Sequence, residues 1–320
     1  MQTCWGILGT GFIARAMADA LALIPEAKLV AVGSRTQTTA DAFGRVYDVP
    51  NCFDSYQAVV SCPDVDVVYV ATPHVFHARD AQMALVHGKA VLCEKPFTMN
   101  AIEAADVIEL ARSRKLFLME AMWTRFVPAV VRLREWIQEK KIGRLLQIHA
   151  TLGWKMELDA KSRLFDPALG GGALLDLGVY PISFCSMLLG TPAEVAGVMD
   201  PAPTGVDMQC AEVMHCANGA IASTAASFIA NLPSDALVIG SNGSIRVHGP
   251  LFAPQALTLQ LGDGQPQTFE FPYLGNGYAH EAIEVVNCIA KGKIESDIMS
   301  LDETLSVMQT LDQVRRAWGS

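Results

Sequence analysis

The sequence predicts an α/β protein: an N-terminal Rossmann domain with a doubly wound parallel sheet, then a C-terminal α+β domain with a large, mainly antiparallel open sheet. Three observations carry this. The apolar run Thr3–Leu8 is followed by Gly9-Thr10-Gly11-Phe12-Ile13-Ala14 and an alanine-rich amphipathic stretch to Leu23. Short apolar runs then alternate with helix-like segments as far as residue 121, the mark of a parallel sheet with helical crossovers. From Arg144 onward the apolar period shortens to strand-like. Asn218-Gly219, Asn242-Gly243 and Asp263-Gly264 fall between neighbouring runs and supply the positive φ of tight hairpins. These observations place the domains at 1–121 and 122–320.

Composition narrows the function. The 320 residues are 51% hydrophobic and 18% charged, with a formal net charge of −9 that argues against a nucleic-acid partner. No run approaches the roughly 18 apolar residues of a membrane span, and no basic segment precedes an apolar one at the start, so neither a membrane nor a signal peptide is expected. The eight cysteines are scattered without a C-x-x-C pair, which reads as reduced thiols in a cytoplasmic protein.

In G-x-G-x-x-A the glycines allow a tight turn and close backbone approach to a pyrophosphate. The helix N-terminus attracts that anion, and the small third residue lets helix pack on strand. Gly9, Thr10, Gly11, Phe12 and Ile13 are therefore candidate cofactor residues. A second strand, Lys28–Gly33, ends in Ser34-Arg35-Thr36 where an NAD site would carry an acid. An arginine flanked by hydroxyls suits a 2′-phosphate, so the expected cofactor is NADP; the plain alternative is an exposed arginine in a turn. A third strand, Asp66–Ala71, leads into Thr72-Pro73-His74-Val75-Phe76-His77 and a helix over 78–87. Thr72, Pro73, His74 and His77 lie at a strand's carboxyl end, near the cofactor. The two histidines have no further ligand set nearby, so no metal is expected.

The fourth strand, Ala90–Cys93, stops at Glu94-Lys95-Pro96, putting Glu94 and Lys95 where open parallel sheets bind ligands. Read alone, the pair is equally a solvated strand end. Asn100 with Glu103 forms a capping box for a helix through Arg114, and Leu116–Met119 is the fifth strand. Trp123 and Phe126 then form either ordinary core or an apolar wall for a ring-shaped substrate. In the second domain Gly170-Gly171-Gly172 suits close backbone approach to a ligand. A helix is predicted from near Leu177 to Leu189, with Asp176 and Tyr180 on one side of its start. The helix dipole favours a phenolate there, though a buried, hydrogen-bonded tyrosine is the commoner occurrence. Strands are expected at 145–154, 195–199, 208–216, 220–229, 236–239, 244–248, 257–261 and 268–271, and helices over 278–291 and after Ser300. The sheet has no evident cover on one face, which points to pairing with a second subunit.

Taken together, the N-terminal G-x-G-x-x-A, Glu94-Lys95-Pro96, and Gly171-Gly172 followed by Asp176 and Tyr180 resemble the Gfo/Idh/MocA oxidoreductase family over essentially the whole chain. Lys89–Pro96, Leu116–Phe126 and Gly170–Asp176 resemble most its dihydrodiol dehydrogenase branch, though sugar dehydrogenases and reductases share much of the pattern. The resemblance implies NADP-dependent hydride transfer between the nicotinamide and a secondary alcohol or carbonyl of a sugar or cyclic trans-dihydrodiol. It implies Lys95, Tyr180 and Asp176 as catalytic residues, with Tyr180 moving the proton, Lys95 lowering its pKa and Asp176 orienting Lys95 or a neighbouring hydroxyl. It also implies a cis peptide before Pro96. Trp123, Phe126 and Trp154 join Lys95, Asp176 and Tyr180 in the substrate site, while Glu94, Lys95, Trp123 and Arg163 join the cofactor residues. His280 and Tyr278 have no assigned role. Two alternatives remain: a non-catalytic dinucleotide-sensing regulator, and an aldose or anhydrosugar reductase that keeps its cofactor bound. A regulator has no need of both Lys95 and Tyr180.

Overall fold

The computed structural model describes residues 2–159 and 162–319. The chain forms two compact units, one running through Trp123 and including Leu274–Thr304, the other comprising Thr124–Tyr273 and the residues from Leu305.

The first unit is a parallel sheet wrapped by helices. Its chain order is β1 (Thr3–Leu8), α1 (Phe12–Leu21), β2 (Ala27–Gly33), α2 (Gln37–Tyr47), β3 (Asn51–Phe53), α3 (Tyr56–Ser61), β4 (Val67–Val70), α4 (His77–Val86), β5 (Ala90–Glu94), α5 (Ala101–Arg114) and β6 (Leu118–Ala121). The six strands lie in the order β3-β2-β1-β4-β5-β6, so the order reverses between β1 and β4. Every paired strand is parallel. Sheet burial on both faces explains the continuous apolar runs: β4 is buried at every position. Helix starts follow their caps. Thr36 accepts from the Thr39 amide, and Asn100 Oδ1 from the Glu103 amide at 2.9 Å.

The sequence indicates five strands here; the sixth is β3. Three residues carry no readable period. They pair with Ala31–Gly33, and the Asn51 side chain donates to the Val30 carbonyl at 2.9 Å. A larger departure concerns residues 274–304, which the sequence reading placed in the second domain. The Leu118 amide donates to the Ile294 carbonyl at 3.0 Å and Asn276 Nδ2 to the Ala16 carbonyl at 2.7 Å, tying this segment to β6 and α1.

The second unit begins with α6 (Pro128–Gln138) and β7 (Leu145–Gly153). A one-turn π-helix over Leu174–Gly178 runs into α7 (Val179–Leu189), and Gly190, at φ 77°, ends it. There follow β8 (Pro192–Pro201), β9 (Asp207–Cys216), β10 (Ile221–Ser227), β11 (Ala236–Gly240), β12 (Gly243–Val247), β13 (Ala256–Leu261) and β14 (Gln267–Glu270). Among the described residues the eight strands lie in the order β14-β13-β12-β11-β7-β10-β9-β8. Only β7 and β10 pair in parallel; the others are antiparallel. Each of the three hairpin dipeptides joins neighbouring strands, but of their residues only Gly219, at φ 80°, takes the expected positive φ. α7 is buried through Ser186, as its apolar character all round requires. The chain continues through α8 (Ala279–Ala290) and α9 (Leu301–Ala317).

Alternation in β9 shows the sheet's two faces. Cys210, Glu212, Met214 and Cys216 point inward, while Ala211, Val213 and His215 are exposed. The outward row continues through Val198, 71% exposed, and Ile221, 42% exposed.

Candidate functional site

On the first unit the candidate residues gather at the carboxyl edge of the parallel sheet, where the turns after β1, β2, β4 and β5 emerge. Gly9 sits at φ 111°, and a Cβ there would lie 2.8 Å from the Ala71 carbonyl, so the turn after β1 needs glycine to pass β4. A Cβ at Gly11 would meet nothing within 4 Å. Gly11 is the N-cap of α1; it contributes no side chain, and no acid lies in the first turn. The first amides of α1 therefore face open space, an anion-binding arrangement that fits a pyrophosphate. Phe12 is 85% exposed beside it, and Ile13 is half-buried.

After β2, the Ser34 hydroxyl lies 3.2 Å from that of Thr10 and 2.6 Å from that of Thr39, which is 2.9 Å from Thr36 Oγ1. This chain of hydroxyls links the first two turns. Arg35 projects exposed from it. A second guanidinium, Arg79 on α4, stacks 4.6 Å from the Phe76 ring centroid. Burial and the charge of Asp80 push the Tyr56 phenol up, opposed by Arg35 and Arg79. The positive charge that faces Tyr56 thus comes from two residues, of which the sequence reading found one.

After β4, Thr72 Oγ1 donates to Asp80 at 2.9 Å. His77 is fully buried, with Nδ1 2.8 Å from the Pro96 carbonyl and Nε2 2.8 Å from the Thr72 carbonyl. Burial lowers its pKa against those two acceptors, and a neutral ring donates to one of them. His77 therefore ties the end of β4 to the turn holding Lys95. His74, 6% exposed, packs edge-on to it at 5.6 Å, and Pro73 is half-buried.

β5 ends in Glu94, buried, and Lys95, half-buried; the Lys95–Pro96 peptide is cis. Tyr69 on β4 donates its hydroxyl to Glu94 Oε1, while Glu94 Oε2 accepts the Lys95 amide at 3.2 Å. Glu281 on α8 is fully buried, and its carboxyl has no hydrogen-bond partner. Burial first, then the charge of Glu94, pushes Glu281 well above the usual carboxylate range. Trp123, 4% exposed, stacks on Tyr278 at 4.2 Å. His280 Nε2 accepts the Leu274 amide at 3.0 Å.

On the second unit Asp176 and Tyr180 are both 7% exposed, near the start of the helix that continues as α7. Arg163 donates to Asp176 Oδ1 at 3.1 Å. Tyr180 packs 5.9 Å from Phe252, which meets Trp154 edge-on at 6.2 Å. Phe126 is 5% exposed, while Trp154 is 36% exposed. Next to Phe126, Arg125 is buried and donates to the Ser183 hydroxyl and carbonyl, both at 2.9 Å.

The triple glycine departs from its expected role. A Cβ at Gly171 would lie 2.6 Å from the Leu164 carbonyl, and one at Gly172, at φ 120°, would overlap Asp207 Oδ1. The close approach is to the protein's own loop and to Asp207. Burial pushes Asp207 up to about 6, against the opposing pull of the Leu174 amide and of Arg315.

Residues 4–122 match the model described as "Oxidoreductase family, NAD-binding Rossmann fold", and residues 130–246 match the GFO/IDH/MocA C-terminal domain. The chain belongs to the Gfo/Idh/MocA oxidoreductase family. It is 35% identical over 332 residues to trans-1,2-dihydrobenzene-1,2-diol dehydrogenase from Sus scrofa, covering 100% of this chain and 98% of that protein. It is 34% identical over 331 residues to the Homo sapiens protein of that name, at 100% and 98% coverage. Among solved structures it matches an aldose-aldose oxidoreductase from Caulobacter crescentus at TM-score 0.91 and 25% identity, covering 99% and 97% of the two chains. A levoglucosan dehydrogenase in complex with NADH and levoglucosan matches in fold at TM-score 0.91 and 24% identity, covering 100% and 98%.

As a member of this family the chain is an oxidoreductase with a nicotinamide cofactor. The structure brings the cofactor candidates of the first unit to one sheet edge, and Asp176, Tyr180 and Arg163 to one helix start. Sequence reasoning missed Arg79, Glu281, Asp207 and Phe252. Only Arg79 left a signal, an exposed cation beside His77.

Proposed function

We propose that the chain oxidises the secondary alcohol of a cyclic trans-diol or a sugar, or runs the reverse reduction, with NADP as cofactor. The observation that carries this reading is Lys95 at the carboxyl end of β5, on the same sheet edge as the open helix start after β1. When bound, NADP supplies the hydride acceptor. The amides at Gly11–Ile13 hold its pyrophosphate, and Arg35, with Ser34 and Thr36, holds its 2′-phosphate. Tyr180 takes the proton of the substrate hydroxyl; Lys95 favours the phenolate and orients that hydroxyl; Asp176, fixed by Arg163, holds a neighbouring hydroxyl. Phe126 and Trp154 form apolar wall for the substrate ring. Identity to the dihydrodiol dehydrogenases favours a trans-diol over a sugar, and unpaired thiols fit the cytoplasm.

The test follows nicotinamide reduction with NADP⁺ or NAD⁺ against trans-1,2-dihydrobenzene-1,2-diol, aldoses and inositols. Turnover is expected with NADP⁺ and the diol. Arg35→Ala should weaken NADP⁺ binding roughly 10- to 100-fold, the loss expected for one charge-assisted contact, and leave NAD⁺ unchanged. Equal losses for both cofactors would remove Arg35 from the 2′-phosphate. Tight NADPH binding with no turnover on any substrate would favour the regulator.

We also propose that the open sheet face joins two copies of the chain. Val198 pairs with Ala211 and Ala196 with Val213 across that face, with Ile221 in the next strand, an apolar row that self-association would cover. Val213→Glu should convert a dimer to a monomer in sedimentation velocity; a dimer that persists would rule this face out.

A further inference from the structure

The helical segment that carries Asp176 and Tyr180 starts without a local cap. Its N-cap position is Ala173, preceded by Gly171 and Gly172, and no side chain from those residues accepts its first amides. Uncapped amides at a buried helix start are costly, so an acceptor is expected from elsewhere in the fold. Asp207 provides it. Asp207 Oδ2 accepts the Leu174 amide at 2.6 Å from 33 residues further along the chain. Gly172 makes the approach possible, because any Cβ there would overlap Asp207 Oδ1.

The acceptor is itself fixed. Asp207 begins β9, where it pairs with Pro201, and Gln209 two residues on pairs with Ser227 of β10. The helix start is therefore referenced to the eight-stranded sheet. On its other side, the Gly172 amide donates to the Leu164 carbonyl at 2.9 Å, and Arg163 holds Asp176. The first turn is π-helical, a wider geometry often found at functional sites. Tyr180 lies six residues beyond Leu174, under two turns from the anchored amide, so a tilt at the start carries directly to the phenol.

We propose that Asp207 is the positioning residue for proton transfer: by accepting the Leu174 amide it fixes where Asp176 and Tyr180 sit. This rests on the assignment of Tyr180 as the proton-transfer residue. Asp207 touches neither substrate nor cofactor; it acts through the helix.

The test compares wild type, Asp207→Ala, Asp207→Asn and Tyr180→Phe with NADP⁺ and trans-1,2-dihydrobenzene-1,2-diol. Alongside turnover, NADPH titration and amide exchange in the peptide spanning 173–181 are measured. Asp207→Ala should lower kcat roughly 10- to 100-fold, the scale of a misplaced reacting group, with the KM for NADP⁺ and NADPH affinity unchanged. Exchange in the 173–181 peptide should quicken. Asp207→Asn keeps an acceptor oxygen and should recover most of kcat and of the protection. Where Asp207→Ala does not fold, Asp207→Glu replaces it, displacing the carboxylate by one methylene, and should lower kcat in the folded protein. Wild-type kcat in Asp207→Ala, an Asn variant no better than Ala, or unchanged exchange would each overturn the proposal. Full activity in Tyr180→Phe overturns the tyrosine assignment instead. Asp207's hold on the helix is then decided by the exchange data.

Discussion

Tyr180→Phe should lower kcat by about a thousandfold, near the middle of the range for general acid–base groups, while NADPH still binds with wild-type affinity. The phenyl ring keeps the contact with Phe252 and the volume beside α7, so only the ionisable oxygen is lost. Substrate KM should change little, because the oxygen acts mainly in the transition state. Under the same proposal, in which the lysine favours the phenolate rather than carrying the proton, Lys95→Met should fall in the same direction by about a hundredfold. Stopped-flow single turnovers separate chemistry from product release. A Tyr180→Phe enzyme within a few-fold of wild type in that phase would end the assignment. A large rise in KM at constant kcat would recast Tyr180 as a binding residue.

Gly172→Ala should be strongly destabilising for a single-methyl change, at about 3 kcal/mol. Two costs combine. The backbone stands at φ 120°, which only glycine adopts without strain, and the new Cβ would overlap Oδ1 of Asp207, the carboxylate whose Oδ2 receives the Leu174 amide. Gly190→Ala is the matched control: φ is 77°, but nothing lies within 4 Å of the added carbon. It should cost about 1 kcal/mol. In thermal melts the Gly172 variant should fall several degrees further than the Gly190 variant. Coincident melting temperatures would show that Asp207 moves aside at no cost.

Much of this was legible in the chain. Gly9–Ala14, the strand ending at Lys95, the Asn100 cap and the three hairpin dipeptides are local signals, and each element formed where those signals stood. What was illegible has one physical origin: contacts between residues distant in sequence. β3 exists because β2 offers it a partner. Residues 274–304 join the first unit through Ile294 and Asn276, and neither residue advertises this. Glycines 170–172 were read as room for a ligand, because sequence shows that space is needed but not for what. Phe252 and Glu281 reach Tyr180 and Glu94 from 72 and 187 positions away, beyond any periodicity. His77 was visible as a histidine at a strand end, whereas its two carbonyl neighbours were not.

The distance in sequence between Leu174 and Asp207 bears on how the protein is made. Synthesis delivers Asp176 and Tyr180 before the carboxylate that holds their helix start, and β9 pairs with β10 only when still later residues have emerged. Any fragment ending before Asp207 holds the full glycine-rich stretch and its tyrosine but lacks the acceptor for the Leu174 amide. Under the proposed assignment of Tyr180, competence for proton transfer is acquired late in synthesis, and a chain truncated before Asp207 should be inert even when its dinucleotide-binding sheet has already folded.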